Sequence, residues 1–569
     1  MDLQNLRQRG RAKASHIVDK TKLRLTEPGS WALPKQDSSI APPGVWTNAD
    51  QDPVPPELLT WNKWSFLTYW YSDLATISAW STASSIVATG LSATDAILIV
   101  LVAGICNAIP TVLNGCIGAD LHIPFPIAAR ASYGYWLSYF CIISRGVLAL
   151  FWFGVQSAAG GNCVTAMILA IWPSYADVPN HLPASIGVSS QGMCSYLIYW
   201  LLQFPLLLIP THKLNYLFNV KAVLTIPMCI AMVVWISVKA GGGSHFFNAP
   251  GSVSGSARSW LWLSNLTAVT GSYSTLAVNI SDFSRFSKDR SAPWWQLPFI
   301  PILKTLMGVF GVVSASASRE IWGETLWDPI DIINKWQDNP GGRAAAFFCA
   351  AIWLLAQISV NISANAISFA NDVTTLAPKW FNIRRGTIFV ALFGGWALCP
   401  WIIMSSATAF LNFMSAYAIF MAPIAGLLTA DYWLVKKRKL DVPALYDPHG
   451  IYRFGRFGVN WRALVINIVV IVPLLPALGN KVTPQNVPLN EGLKHLFAFN
   501  WLYGYITSLF LYWLLNYLFP AEETLVPVTV PGGDYSAIHG VEANDVESGN
   551  TTGEKDGGKV AESPLAREL

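Results

Sequence analysis

The sequence predicts an all-α polytopic membrane protein, on three observations. Of 569 residues, 53% are hydrophobic and only 12% are Asp, Glu, Lys or Arg, about half the charged share of a soluble globular chain. The apolar residues gather in runs of about 20, the length that crosses a hydrocarbon core as a helix. Polar residues inside those runs recur five runs apart. So few charges cannot cover a soluble protein of this size, which excludes a soluble enzyme, a disordered scaffold and a nucleic-acid binder.

The first 60 residues are polar, basic and scattered with prolines, without the n-region and h-region of a signal peptide. They read as a disordered cytoplasmic tail, 1–60. Twelve candidate spans follow, near 65–90, 95–118, 138–172, 194–211, 217–238, 259–281, 296–317, 344–377, 387–402, 404–434, 463–479 and 497–519. Spans 1–10 fill 61–435, a polar loop occupies 436–462, and spans 11 and 12 fill 463–520. A second tail, 521–569, is rich in Gly, Ser, Glu and Asp toward its end and also reads as disordered. Lys and Arg crowd the N-terminal tail and the loops after the even-numbered spans, whereas Pro173 to Gly192 has none. The positive-inside rule then places both termini in the cytoplasm. There the sequon at Asn550 is not glycosylated, and Lys13, Lys20, Lys555 and Lys559 are either solvated or acceptors for ubiquitination and trafficking machinery. The eight cysteines form no CxxC pair, so neither a disulfide framework nor a zinc site is expected.

A polar residue inside a span is costly and therefore a functional candidate. Span 1 carries Asp73, Thr76 and Ser78 at its middle. A lipid-facing Asp costs roughly 2.5–3.5 kcal/mol on insertion scales, while the hydroxyls either serve an unwound backbone or bond their own i−4 carbonyls. Span 6 centres on Gly271 among hydroxyl residues, with Tyr273 beside it. The glycine either interrupts the helix or allows close packing. Span 3 places Trp152 and Gln156 one turn apart, a flat π surface beside an amide that can donate and accept. Span 8 carries Asn361, Asn365 and Ser368 near one face, preceded by Ser359 and followed by Asp372. Interruptions in spans 1 and 6 and side-chain platforms in spans 3 and 8 are each five spans apart. That pattern points to an inverted repeat with a midplane site, as in secondary transporters. No GxxxxGK[ST] or HExxH motif is present, which disfavours an ATP-driven pump or a zinc protease.

Six motifs in order carry a resemblance over roughly residues 60–520: His122-Ile-Pro-Phe-Pro through Gly134, Asn279-Ile-Ser-Asp-Phe-Ser-Arg-Phe286, Asn371-Asp-Val-Thr-Thr-Leu-Ala-Pro, Phe381-Asn-Ile-Arg-Arg-Gly386, Ala430-Asp-Tyr-Trp433 and Asn460-Trp-Arg-Ala463. Together they resemble the fungal uracil/uridine/allantoin permease (Fur-type) branch of the nucleobase-cation-symport-1 family. The resemblance implies a five-plus-five inverted-repeat, LeuT-like core plus two C-terminal helices, and cation-coupled uptake of planar heterocycles across the plasma membrane. It implies that Trp152 stacks on the ring, Gln156 and Asn365 bond its edge, and Tyr273 covers its other face; Gly271, Thr76 and Ser78, read from the spans themselves, are further expected site residues. Where sodium-coupled relatives place small and hydroxyl residues, this chain has Ala356, Ser359 and Val360. A valine offers no oxygen to a hard cation, so proton rather than sodium coupling is expected, with no cofactor or metal. Asp73 and Asp372 are the expected coupling or gating groups, with Asn361 and Ser359 nearby and Lys304 as a partner for Asp372. The expected substrate is uracil, allantoin or a related oxo-heterocycle, uric acid included. The alternatives are a uridine or thiamine carrier, or a transport-deficient nutrient sensor.

Overall fold

The computed structural model describes residues 31–209, 215–242, 250–482 and 487–535. Lys13, Lys20, Asn550, Lys555 and Lys559 lie outside the described residues. Among these residues the chain is helical, with only two isolated backbone bridges. Helix occurs at all twelve expected spans. Span 1 is Lys63–Leu74 plus Ile77–Ala88, span 2 Ala93–Leu121, span 3 Ser138–Ile171, span 4 Ser190–Leu207, span 5 Asn215–Lys239 and span 6 Gly255–Gly271 plus Ser274–Asn279. Span 7 is Gln296–Trp322, span 8 runs from Pro340 to Leu376, span 9 from Ile383 to Ala397 and span 10 from Ala407 to Val435. Span 11 runs from Trp461 to Val482 and span 12 is Asn500–Leu518. Seven of these are long and apolar enough to cross a bilayer by those criteria alone; the other five are broken, shorter or more polar.

The local chemistry sets the boundaries. Asn62 begins span 1 with a capping box, its side chain accepting from Trp64 and Ser65 while Ser65 accepts from the Asn62 N–H. Ser92, Asn339 and Ser406 cap spans 2, 8 and 10. Span 9 ends at Ala397, short of the expected 402, because Cys399 (φ 45°) turns left-handed before Pro400, and the residue before a proline is driven out of helical geometry.

The outside of the bundle is apolar. Leu98, Leu101, Ile105 and Ile109 form an exposed stripe on span 2, and Val223, Ile230, Val234 and Val238 another on span 5. Such stripes suit a hydrocarbon solvent. Inside, the packing has the expected symmetry. Spans 2 and 7 pack on each other, as do spans 3 and 8; span 7 packs on both halves of span 1, and span 2 on both halves of span 6. These contacts map onto one another by a shift of five spans. Spans 11 and 12 stand outside the repeat, against span 10.

The tails depart from expectation. Within 31–60, Leu33 N–H donates to Lys379 O (2.8 Å), Val54 N–H to His122 O (2.9 Å) and Thr60 N–H to Phe286 O (3.1 Å). Within 521–535, Val530 exchanges backbone bonds with Leu440 and Val442, and the Tyr535 hydroxyl donates to Val54 O. These parts of the tails are tied by backbone bonds to loops on one face, with most of their side chains still partly or fully exposed. Their order comes from backbone pairing with distant loops, which leaves no periodic side-chain signal. Both described ends are tied to this face.

Candidate functional site

Spans 1 and 6 are both interrupted in mid-membrane. In span 1 the helix stops at Leu74, Ala75 (φ −81°, ψ 71°) and Thr76 (φ −139°, ψ 160°) leave helical geometry, and Thr76 Oγ1 restarts it by accepting the Ala79 N–H (3.2 Å). In span 6 the break falls at Ser272 and Tyr273. Span 8 does not break, but Asn361–Ile367 widens to a π-helical turn, a distortion that often accompanies function.

Where these irregular segments meet span 3 they enclose a cavity of about 60 Å³, lined by Asp73, Thr76, Ser78, Trp152, Gln156, Tyr273 and Asn365 among others. Trp152, 8% exposed, is held by span 10: its Nε1–H donates to Tyr417 OH (3.1 Å), and Phe410, Phe413 and Tyr417 meet its ring in T-shaped contacts. The ring is thus held by one edge hydrogen bond and three perpendicular aromatic contacts. Tyr273 also lines the cavity, with the Lys304 ammonium 4.5 Å from its ring centroid.

The two amides are positioned by buried neighbours. Gln156 Oε1 accepts from Ser78 Oγ (3.0 Å) and from Gln357 Nε2 (2.6 Å). Asn365 Nδ2 donates to Asn361 Oδ1 (3.0 Å), while Asn361 Nδ2 is held by Phe153 O, Ser157 Oγ and Gln203 Oε1, each at 3.1 Å. The groups left for the cavity are the Gln156 amine and the Asn365 carbonyl, one donor and one acceptor beside a flat indole.

The profile of a family described as permeases for cytosine/purines, uracil, thiamine and allantoin matches residues 53–504. The chain belongs to this family, nucleobase-cation-symport-1. An uncharacterised permease of Schizosaccharomyces pombe is 35% identical, with 85% of this chain and 86% of that protein covered. The allantoin permease of Saccharomyces cerevisiae is 32% identical (85% and 77% covered), and its uracil permease 33% (83% and 76%). Among solved structures, Mhp1, a transporter of the same family in a closed conformation with bromovinylhydantoin bound, has a TM-score of 0.65 at 20% identity, over 83% of this chain and 97% of that one. That likeness carries the fold, a polytopic helical bundle; the permease family is shown by the profile and the relatives, which are permeases rather than enzymes.

One expected substrate-site residue, Gly271, and the expected coupling or gating residues Ser359, Asn361, Lys304 and Asp372 do not line the cavity. Gly271 does not line the cavity; a Cβ there would meet Met414 O at 2.3 Å, so the glycine lets span 6 pack on span 10. Ser359 turns its hydroxyl to Leu355 O (2.7 Å) in its own helix. Asn361 stands behind Asn365. Lys304 donates to Asn107 Oδ1 (2.8 Å) and Val269 O (2.9 Å), not to Asp372. Asp372, 1% exposed, pairs instead with Arg145 of span 3, whose Nε–H donates to Asp372 Oδ2 (2.6 Å). The arginine's long, planar fork reaches both Asp372 and Ser368.

Sequence reasoning overlooked Lys221, Gln203 and Gln357. Lys221 follows a polar loop and reads as a span end, yet it is fully buried and its ammonium donates to Ser72 O at the break in span 1. Ser72 and Val269 stand at the same position, two residues before the helical end that precedes each break. A lysine therefore neutralises the exposed carbonyl end of each half-helix.

Proposed function

We propose that the protein is a proton-coupled secondary active transporter of the plasma membrane, taking up uracil, allantoin or a related oxo-heterocycle by alternating access, with both termini cytoplasmic. The observation that carries this reading is the pairing of a free amide donor on Gln156 with a free acceptor on Asn365 beside the Trp152 ring. An adjacent C=O and N–H on a flat ring satisfies both groups at once. A site that buries such groups rejects ligands that leave them unpaired. Asp73 lines the cavity, but Lys221 is the opposite charge acting on it, so the pair offers little net attraction for a cation and a neutral ring fits better than thiamine.

Proton coupling is supported by three features. Val360 lines the cavity where an oxygen ligand would serve sodium, Ser359 is spent on its own helix, and Lys221 supplies a positive charge at the span 1 break. The Arg145–Asp372 pair lies on the side of the cavity toward the tied tails and serves as the inner barrier, which must part before substrate leaves to the cytoplasm.

The test is uptake of radiolabelled uracil, allantoin, uric acid, uridine and thiamine in cells lacking their own carriers. Saturable uptake of at least one oxo-heterocycle is expected. Uptake of thiamine alone would overturn the substrate class, and a surface-localised protein that moves none of the five would overturn transport.

A further inference from the structure

We propose that Gln357, which does not line the cavity, is a positioning residue that decides which hydrogen-bonding edge of a heterocycle the permease accepts. The proposal rests on the reading of the cavity as the heterocycle site.

A primary amide has two ends of nearly the same shape, an acceptor oxygen and a donor NH2. Which end meets a ligand is decided by what holds the other. For Asn365 the decision traces back to a group that cannot rotate: the Phe153 backbone carbonyl accepts from Asn361 Nδ2, so Asn361 Oδ1 faces Asn365 Nδ2, and the Asn365 oxygen is left for the cavity. For Gln156 the decision falls to Gln357. Ser78 also reaches Gln156 Oε1, but a hydroxyl can turn to donate or accept and so fixes nothing alone. Gln357 is itself an amide, and the cost of the alternative sets its orientation: donating to Gln156 Oε1 (2.6 Å) leaves only its own Oε1 without a partner among the described residues, whereas the reversed amide would strand both of its N–H donors. The Gln357 amine holds the Gln156 oxygen away from the cavity and aims the Gln156 NH2 inward. Gln357 itself is fully buried one turn before Asn361.

The cavity therefore presents a donor and an acceptor, the complement of a lactam edge with C=O beside N–H. If the group behind Gln156 were an acceptor, Gln156 would turn its NH2 toward it and show its oxygen to the ligand. Both cavity amides would then accept, and the preferred edge would be two donors, an amino group beside a ring N–H. Gln357 Oε1 has no partner among the described residues, so replacing the amine by a second oxygen leaves no new donor unpaired.

The experiment compares competition by uracil and by 2-aminopyrimidin-4-one, its analogue with an amino group in place of one carbonyl, against uptake of whichever labelled heterocycle the wild type carries. Surface protein is normalised by a fluorescent tag. Wild type favours uracil. Gln357→Glu is expected to shift the ratio of the two inhibition constants about tenfold or more toward the amino compound. Gln357→Met, similar in volume but without a donor, is expected to level the ratio without reversing it. If Gln357→Glu fails to reach the surface, or keeps the wild-type ratio because its buried carboxyl is protonated and donates as the amide did, the ratio in Gln357→Met decides. Ratios within threefold of wild type in the variants that reach the surface would overturn the role of Gln357. A wild type that carries no heterocycle, or a Trp152→Ala protein with unaltered uptake, would overturn the site itself and this proposal with it.

Discussion

Trp152 is anchored by Phe410, Phe413 and Tyr417, so its position in the cavity does not depend on a ligand being present. Stacking a base on such a ring is worth about 1–3 kcal/mol, and Trp152→Ala is expected to weaken apparent affinity about ten- to hundredfold at normal surface level; KM measured in intact cells checks it. Asn365→Ala is expected to abolish high-affinity uptake, and Asn365→Asp to change the ranking of heterocycles; an unchanged ranking would reduce Asn365 to a helix bridge. Arg145 and Asp372 permit a different test. Breaking a buried ion pair by removing one partner costs about 3–5 kcal/mol, because the other charge is left uncompensated. Arg145→Gln and Asp372→Asn should each lower thermal stability in detergent, and the double variant should lose much less than their sum; additive losses would mean the two charges do not act as a pair. Gln156 and Asn365 stood out because amides are costly in a span, whereas the family resemblance, not the spacing, joined them with Trp152 into one expected site. Gln357 did not stand out, because its meaning lies in Gln156, 201 residues away, and nothing within Ala356–Val360 signals that partner.

At the scale of elements, the breaks in spans 1 and 6 were readable from clustered hydroxyls and glycine, but the use of the glycine was not. Gly271 is a contact between helices rather than a site residue. Gly271→Ala would drive a methyl against Met414 O and is expected to lower the amount of folded protein while leaving KM unchanged in what remains; a raised KM with normal stability would return Gly271 to the site. The π-helical turns in spans 8, 9 and 10 left no pattern in the sequence, since one extra residue per turn is set by tertiary packing. Between spans 7 and 8, Asp328 caps the short helix Pro329–Asn334, and burial together with the nearby Asp331 pushes its carboxyl up to about 7. A carboxyl raised in the folded state contributes stability below its unfolded value, and that contribution is lost as pH rises through about 7. Thermal stability in detergent should therefore fall from about pH 4 to about pH 7 and level off above it, and Asp328→Asn should flatten that part of the profile; an equal fall in the variant would assign it to other groups.

For the whole molecule, the proposed ion coupling requires that the energy of a gradient reach the cavity, and the architecture offers few routes. The two mid-membrane breaks each expose a half-helix carbonyl end, and a buried lysine already sits on each one, Lys221 at Ser72 and Lys304 at Val269. A bound metal cation would have to displace a fixed ammonium or share its site, at a large Coulombic cost in low dielectric. A proton needs no ligand cage. It can pass to Asp73, which lines the cavity beside the span 1 break and feels the charge of Lys221. Protonating Asp73 would release Lys221 from its counter-charge, and through the Ser72 contact this would bias how the two halves of span 1 sit against the rest of the core. Wild-type uptake is therefore expected to rise as external pH falls, to collapse with a protonophore, and to continue when sodium is replaced by choline. Asp73→Asn should flatten the pH dependence while the protein still binds substrate, measured as competition at the cell surface. Sodium-dependent, pH-insensitive uptake would refute proton coupling outright, whereas a pH profile unaltered in Asp73→Asn would move the proton to another group and leave the coupling ion in place.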